Sequence, residues 1–505
     1  MSSTAADAAA GSVPTSTPQP PPDTGRQVRR LAWRLFLFAL ILRLGWATLA
    51  TVTPVSDCRG YHTMALNWLK TGEFRHSHGR AYRTPAYPAF LAGVYAVFGE
   101  NLRAAWLFHA AFGGSCTALV TLIAGRVASP RTALIAGLLH AVWPTSVIYV
   151  PVLVSENLAT PLLLLCVFLC ARAHSRVGRP AVLGFLAAGL VFGLLMLVRP
   201  SNLFFAPGLL LVALRDFERR AWRWPAPMGL VVGMAVALSP WLIRNYRLGL
   251  GPLTFSTQAG VALWWGNNPS THDGGSSAVD VSEGKGLGEV AVSQLYFERA
   301  LDWVRAKPQR YAELCGIRLL RFFGKSVDDF ANRYWWPTPD IDAAMLQWDR
   351  HHQGRPAQRQ HAQSVIDWNW RTEERLRRAV APVVLLAFIG ALVRYRRFGL
   401  VTLPVCSYCA GLCLTAFVER YRVVSDPLLL ICLGALLADI MFGTRELGGG
   451  RNSRYIKGAL AVAVMVAGVY VDKARIDRGW YARAPLPPAT SGPASAPTPA
   501  PATPP

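Results

Sequence analysis

The chain has 505 residues, 52% of them hydrophobic and 16% charged, and its formal net charge is +23. Soluble domains carry roughly 25% charged residues, so this composition excludes an ordinary soluble fold and reads as a polytopic membrane protein. The basic excess does not indicate nucleic acid, because the arginines gather in short gaps between apolar runs, where the preference of cytoplasmic loops for Lys and Arg accounts for them.

Residues 1–25 are rich in Ala, Ser, Thr and Pro and lack an apolar stretch, which predicts a disordered cytoplasmic tail. Arg26, Arg29 and Arg30 then precede an apolar run from Leu31 to Val52, so the first span should run outward and leave the segment 53–103 outside. Arg43 lies within that span and is expected to snorkel inward or to pair. Further spans are predicted near 104–125, 131–149, 157–173, 181–198, 202–214, 226–243, 379–393, 399–417, 424–441 and 456–471, eleven with the first. Alternate gaps hold Arg126 and Arg131, then Arg172, Arg176 and Arg179, then Arg215, Arg219, Arg220 and Arg223, then Arg394, Arg396 and Arg397, and are therefore cytoplasmic. If the 14-residue run AYPAFLAGVYAVFG also crossed the membrane, these basic gaps would face outward, so residues 86–98 are read as an interfacial or re-entrant helix.

The chain thus divides into a transmembrane module over 26–243, a large extracytoplasmic loop over 244–378, C-terminal transmembrane helices over 379–471 and a Pro/Ala-rich extracytoplasmic tail over 472–505. In the large loop, Val292, Leu295, Phe297, Leu301 and Val304, then Tyr311, Leu314, Ile317 and Leu320, recur at helical spacing. His272 with Asp273, and His351, His352 and His361, lack the spacing of a zinc site and read as solvated loop histidines. Seven of the nine cysteines fall inside apolar runs and behave as small hydrophobes; Cys58 and Cys315 share the outer face, which leaves a disulfide between them open.

The polar groups cluster on one side of the membrane. Asp57 follows the first span directly, beside Arg59 and Tyr61, and residues 60–70 read as an amphipathic helix that turns Met64, Leu66, Trp68 and Leu69 to the lipid interface. Tyr82 and Arg83 precede the interfacial run. Glu156 opens a span, Arg199 stands where one span ends and the next begins, and Glu419, Arg420, Tyr421, Arg422 and Asp426 mark a third such junction. Charges at bilayer depth cost about 2.5 kcal/mol or more each unless paired or wet, so their gathering at one face indicates a cavity for a charged ligand.

The order of these pieces, namely SDCRGY (Asp57, Tyr61), RTPAYP (Arg83 to Pro88), SEN (Glu156), LVRPSN, PWLIRNY, WWGNNP and ERYR (Glu419 to Arg422), resembles the polyprenyl-phosphate-sugar-dependent glycosyltransferases of the GT-C superfamily. The likeness is greatest to glycosyltransferase family 39, which includes protein O-mannosyltransferases and lipid A aminoarabinose transferases. The resemblance implies an all-α polytopic fold in the cell (inner) membrane with its active site on the extracytoplasmic side. It also implies a polyprenyl-phosphate-linked sugar as donor and a hydroxyl or phosphate of a lipid, glycan or protein as acceptor. One acidic residue stands at Asp57 where eukaryotic members have an adjacent pair.

Such a transfer needs a base for the acceptor proton and cations for the departing phosphate. The resemblance assigns the catalytic roles to Asp57, as base, and Glu156. Arg59, Arg83, Arg199 and Arg420 become the donor-phosphate groups, since guanidinium binds phosphate oxygens bidentately. Tyr61, Tyr82 and Glu419 are the expected substrate contacts. No cofactor is certain, and assistance by a divalent metal is left open. Two alternatives share the composition: a transporter or flippase, and a ligase or polymerase of surface polysaccharide. Against the first, the sequence lacks an internal hydropathy repeat and its polar groups lie at outer helix ends rather than at mid-span.

Overall fold

The computed structural model describes residues 24–448, except 51, 53, 55, 56, 217–220, 223, 253, 272, 273, 276–281 and 325–379, together with 457 and 460. The expectations for the two termini, for the span at 456–471 apart from residues 457 and 460, and for the loop histidines from His272 to His361 fall outside these residues.

The described residues are helical almost throughout. In order the helices are α1 (Thr24–Leu49), α2 (Asp57–Thr71), α3 (Ala86–Phe98), α4 (Leu102–Val127), α5 (Pro130–Val142), α6 (Pro144–Ile148), α7 (Glu156–His174), α8 (Arg179–Val198), α9 (Ala206–Leu214) and α10 (Pro225–Arg247). They continue with α11 (Ala259–Gly266), α12 (Glu289–Ala306), α13 (Pro308–Gly324), α14 (Val380–Val393), α15 (Tyr395–Leu414), α16 (Glu419–Arg422) and α17 (Asp426–Phe442). Six of the described helices are long and apolar enough to cross a membrane: α1, α4, α7, α8, α10 and the Arg397–Leu414 part of α15. The other predicted spans among the described residues are shorter. The run at 202–214 is a 3-10 turn, Pro200–Phe205, leading into α9, and the run at 131–149 is broken by Pro144 into α5 and α6, because proline disfavours the helical conformation of the residue before it.

That break explains Arg43. It neither snorkels nor pairs with a carboxylate among the described residues; fully buried, it donates to the carbonyls of Ala39, His140, Ala141 and Ser146 at 3.1 Å and to Ser146 Oγ at 2.8 Å. The carbonyls freed where α5 ends thus find a donor inside the bundle, which lipid could not supply.

Helices α8 and α10 pack closely. Gly189 and Gly193 on α8 face Gly229 and Gly233 on α10, and a Cβ on Gly189 would fall 2.1 Å from the Leu230 carbonyl oxygen, one on Gly233 2.2 Å from that of Leu186. This is small-residue packing of the kind that replaces the hydrophobic effect between helices in lipid. Gly189→Val is therefore expected to separate the pair and destabilise the protein by about 1–3 kcal/mol, read as a lowered thermal midpoint in detergent.

Helix α3 spans Ala86–Phe98, about 20 Å of helix, and packs Tyr87, Leu91, Ala92, Val94 and Tyr95 inward. Two faces differ from expectation. Met64 is buried in the core, Leu66 and Trp68 are partly buried against it, and only Leu69 is well exposed, so α2 is clamped to the bundle rather than laid on lipid. On α12 it is Tyr296 and Ala300 that are buried, while Phe297 is 47% exposed; the tyrosine, absent from the pattern, is the inward residue. All nine cysteines are free, Cys58 and Cys315 included.

Candidate active site

Five charged side chains from five separate places in the sequence meet at one end of the bundle. Asp57 and Glu156 are the first residues of α2 and α7, where the exposed backbone N–H groups favour a carboxylate. Arg199 stands in extended conformation just after α8, and Arg420 lies in the one-turn helix α16. Arg83 ends the loop before α3, whose N-cap is Pro85.

They form an alternating chain. Arg83 Nη2 donates to Asp57 Oδ1 at 2.5 Å and Arg420 Nη2 to Asp57 Oδ2 at 2.6 Å. Arg420 Nε lies 3.1 Å from Glu156 Oε1, and Arg199 Nη1 pairs with that same oxygen. Ser155 Oγ donates to Glu156 Oε2 at 3.2 Å. Tyrosines floor the two ends: the Arg83 guanidinium sits 4.7 Å from the Tyr61 ring centre and that of Arg199 4.1 Å from Tyr421. Asp57 is the most open of the five at 26% exposure, Glu156 the most closed at 2%.

Burial alone would raise the Asp57 carboxyl. The charges and hydrogen bonds of Arg420 and Arg83 outweigh it and hold the group well below the ordinary carboxylate range. Beside it, His76, His78 and Tyr82 stack with ring centres 4.9 to 5.1 Å apart. Burial, with the charge of Arg83 and the neighbouring His78, lowers the His76 imidazole to about 4, so it is neutral at neutral pH.

The sequence expectations thus separate. Asp57, Glu156, Arg83, Arg199 and Arg420 converge, with Tyr61 beneath them. Arg59 does not stand with them: it is exposed, two positions from Asp57 and hence on another face of α2. Tyr82 belongs to the aromatic stack, and the Glu419 side chain falls outside the described ones. Asp426 and Arg422, grouped with the junction charges by sequence, pair with each other at 2.7 Å, and Arg422 also donates to the Phe322 carbonyl at 3.0 Å, tying α13 to the junction. Tyr421 is named in the sequence only as part of the third junction, and His76 and His78 are not singled out there; a histidine pair two residues before the RAYR run is the available signal. Among the described residues no three His, Cys, Asp or Glu side chains gather as a metal site.

Residues 82–243 match the sequence model of the dolichyl-phosphate-mannose-protein mannosyltransferases, and so include Arg83, Glu156 and Arg199. The match covers less than half of the chain and marks a similarity to that family. No curated protein matches the chain. Among solved structures, the chain is similar to ArnT from Cupriavidus metallidurans bound to undecaprenyl phosphate, at 16% identity over 81% of this chain and 79% of ArnT, with a TM-score of 0.39. It is also similar to the oligosaccharyltransferase AglB from Archaeoglobus fulgidus in complex with an inhibitory peptide and a dolichol-phosphate, at 11% identity and TM-score 0.38, over 87% of this chain but 54% of AglB.

Proposed function

We propose that this glycosyltransferase moves a single sugar from a polyprenyl phosphate to an acceptor hydroxyl at the extracytoplasmic face of the membrane, with inversion. The observation that carries the reading is the alternating chain of three arginines and two carboxylates, which sums to one positive charge. A polyprenyl-phosphate sugar is a phosphodiester with one negative charge, and its leaving group is a monoester that gains a second. Cations already fixed where that charge develops lower the barrier without reorganising.

In the step itself the acceptor oxygen forms a bond to the anomeric carbon while its proton passes to Asp57. The bond from that carbon to the phosphate oxygen breaks with its electrons staying on the phosphate. At rest Asp57 is a weak base, since both its oxygens accept from arginine. An arriving phosphate competes for Arg83 and Arg420 and so releases the carboxylate as it binds. Arg83 Nε, buried and without a hydrogen-bond partner among the described residues, is a donor left over for a phosphate oxygen.

Reconstituted protein is expected to consume polyprenyl-phosphate sugar and leave polyprenyl phosphate. Turnover of a nucleotide sugar alone, or solute flux across proteoliposomes without glycosyl transfer, would overturn the reading in favour of another enzyme class or a transporter. The face is tested separately. A cysteine at the exposed Thr71 should react with an impermeant maleimide from outside intact cells, and one at the exposed Ser175 should not; the reverse pattern would put the site on the cytoplasmic side.

A further inference from the structure

The loop that ends on Arg83 is held by residues far from it in sequence. It closes on itself through His76 N to Gly79 O at 2.9 Å and Gly79 N to His76 O at 3.1 Å. The next two amides, of Arg80 and Ala81, donate to the two carboxylate oxygens of Glu289 at 2.9 and 3.0 Å, and Thr257 Oγ1 donates to the second of these oxygens at 2.9 Å. Glu289 is the first residue of α12, in the large outer segment.

Gly79 admits that carboxylate. Its φ of +151° suits glycine, and a Cβ there would fall 2.2 Å from Glu289 Oε2. From the other side Arg244, near the end of α10, donates to the Arg80 carbonyl at 3.1 Å and the Phe74 carbonyl at 3.0 Å. Thr257 N donates to the Ala81 carbonyl and Ser256 Oγ to that of Tyr82, both at 2.9 Å. These contacts are with loop backbone rather than with the charged groups of the site, and they stop one residue before Arg83.

We propose that Glu289 is a positioning residue: by fixing the backbone at Arg80 and Ala81 it sets where Arg83 presents its guanidinium, and it couples the large outer segment to the donor-phosphate site. The second half rests on the reading of Arg83 as a phosphate group. Glu289→Gln keeps the shape but replaces one acceptor oxygen by an NH2 that faces a backbone N–H. Gly79→Ala expels the carboxylate without altering Glu289.

In the full chain in lipid nanodiscs, both variants are expected to speed amide hydrogen exchange over residues 76–83 by about 10-fold, one hydrogen bond to a charged group. They should weaken binding of polyprenyl phosphate by a similar factor, raise the donor KM and leave the acceptor KM unchanged. Glu289→Asp, which keeps the charge, should recover part of each effect. Unchanged exchange over 76–83 in both variants overturns the clasp, and faster exchange with unaltered lipid-phosphate affinity overturns the positioning role. If the wild-type protein binds no polyprenyl phosphate, the donor reading falls and the positioning role with it, while the exchange measurement still decides whether Glu289 holds the loop.

Discussion

Asp57→Asn is expected to slow transfer by about 100-fold to 10,000-fold, the range for removal of a general base, while leaving the affinity for polyprenyl phosphate intact or higher. The two halves come from the same contacts. An asparagine cannot take the acceptor proton, and its NH2 cannot accept from a guanidinium, so at least one of Arg83 and Arg420 loses its bond and turns to the lipid phosphate. Measuring single-turnover transfer and lipid-phosphate binding on the same preparation separates this from misfolding, which would lower both. Near-normal turnover would remove Asp57 from the mechanism.

The pH profile follows with a definite sign. In the free protein the arginines hold the Asp57 carboxyl well below its ordinary range, so it is ionised throughout the working range. The profile of kcat/KM, which reports the free enzyme, should therefore stay flat from about pH 5 to pH 7. In the donor complex the phosphate draws those arginines away and the carboxyl becomes more basic. The acid limb of kcat should accordingly lie at higher pH than that of kcat/KM, and coincident limbs would argue against release of Asp57 by the donor.

The charged chain was legible from sequence because lipid makes charge conspicuous: Asp57, Glu156, Arg83, Arg199 and Arg420 each border a long apolar run, where a charge is costly unless it has a partner. Parity of the basic loops then put them at one end. Their pairing was not legible, since Arg420 reaches Asp57 across 363 positions. Glu289 carried no signal at all; it stands in a Gly-rich polar stretch, and its partners are backbone amides, which no side-chain pattern announces. Tyr296 lies outside the sequence pattern because the spacing through Val292, Leu295 and Phe297 picks a neighbouring stripe of α12, and only packing shows its ring buried. Arg43 is visible in the sequence but its partners are not: they include the carbonyls of His140 and Ala141, released by the Pro144 break, which an unbroken span would not offer. Arg59 shows the converse, since two residues close together in a motif need not share a helix face.

Glu156→Ala should act on stability before chemistry. Glu156 is almost fully buried, and it carries the pairing of Arg199 and the second contact of Arg420, both themselves about nine-tenths buried by side chain. Removing one partner of a buried ion pair leaves uncompensated charge and costs about 3–5 kcal/mol. The expectation is a large fall in thermal midpoint and in the yield of folded protein from membranes. Glu156→Gln, which keeps an acceptor oxygen and the volume, should fold better than Glu156→Ala yet still leave one positive charge unbalanced. Combining Glu156→Gln with Arg199→Gln restores the balance. If the charge argument is right, this double variant is more stable than the sum of its single changes predicts. Additive losses would mean that Glu156 acts by packing and not as the counter-charge that keeps two arginines in place.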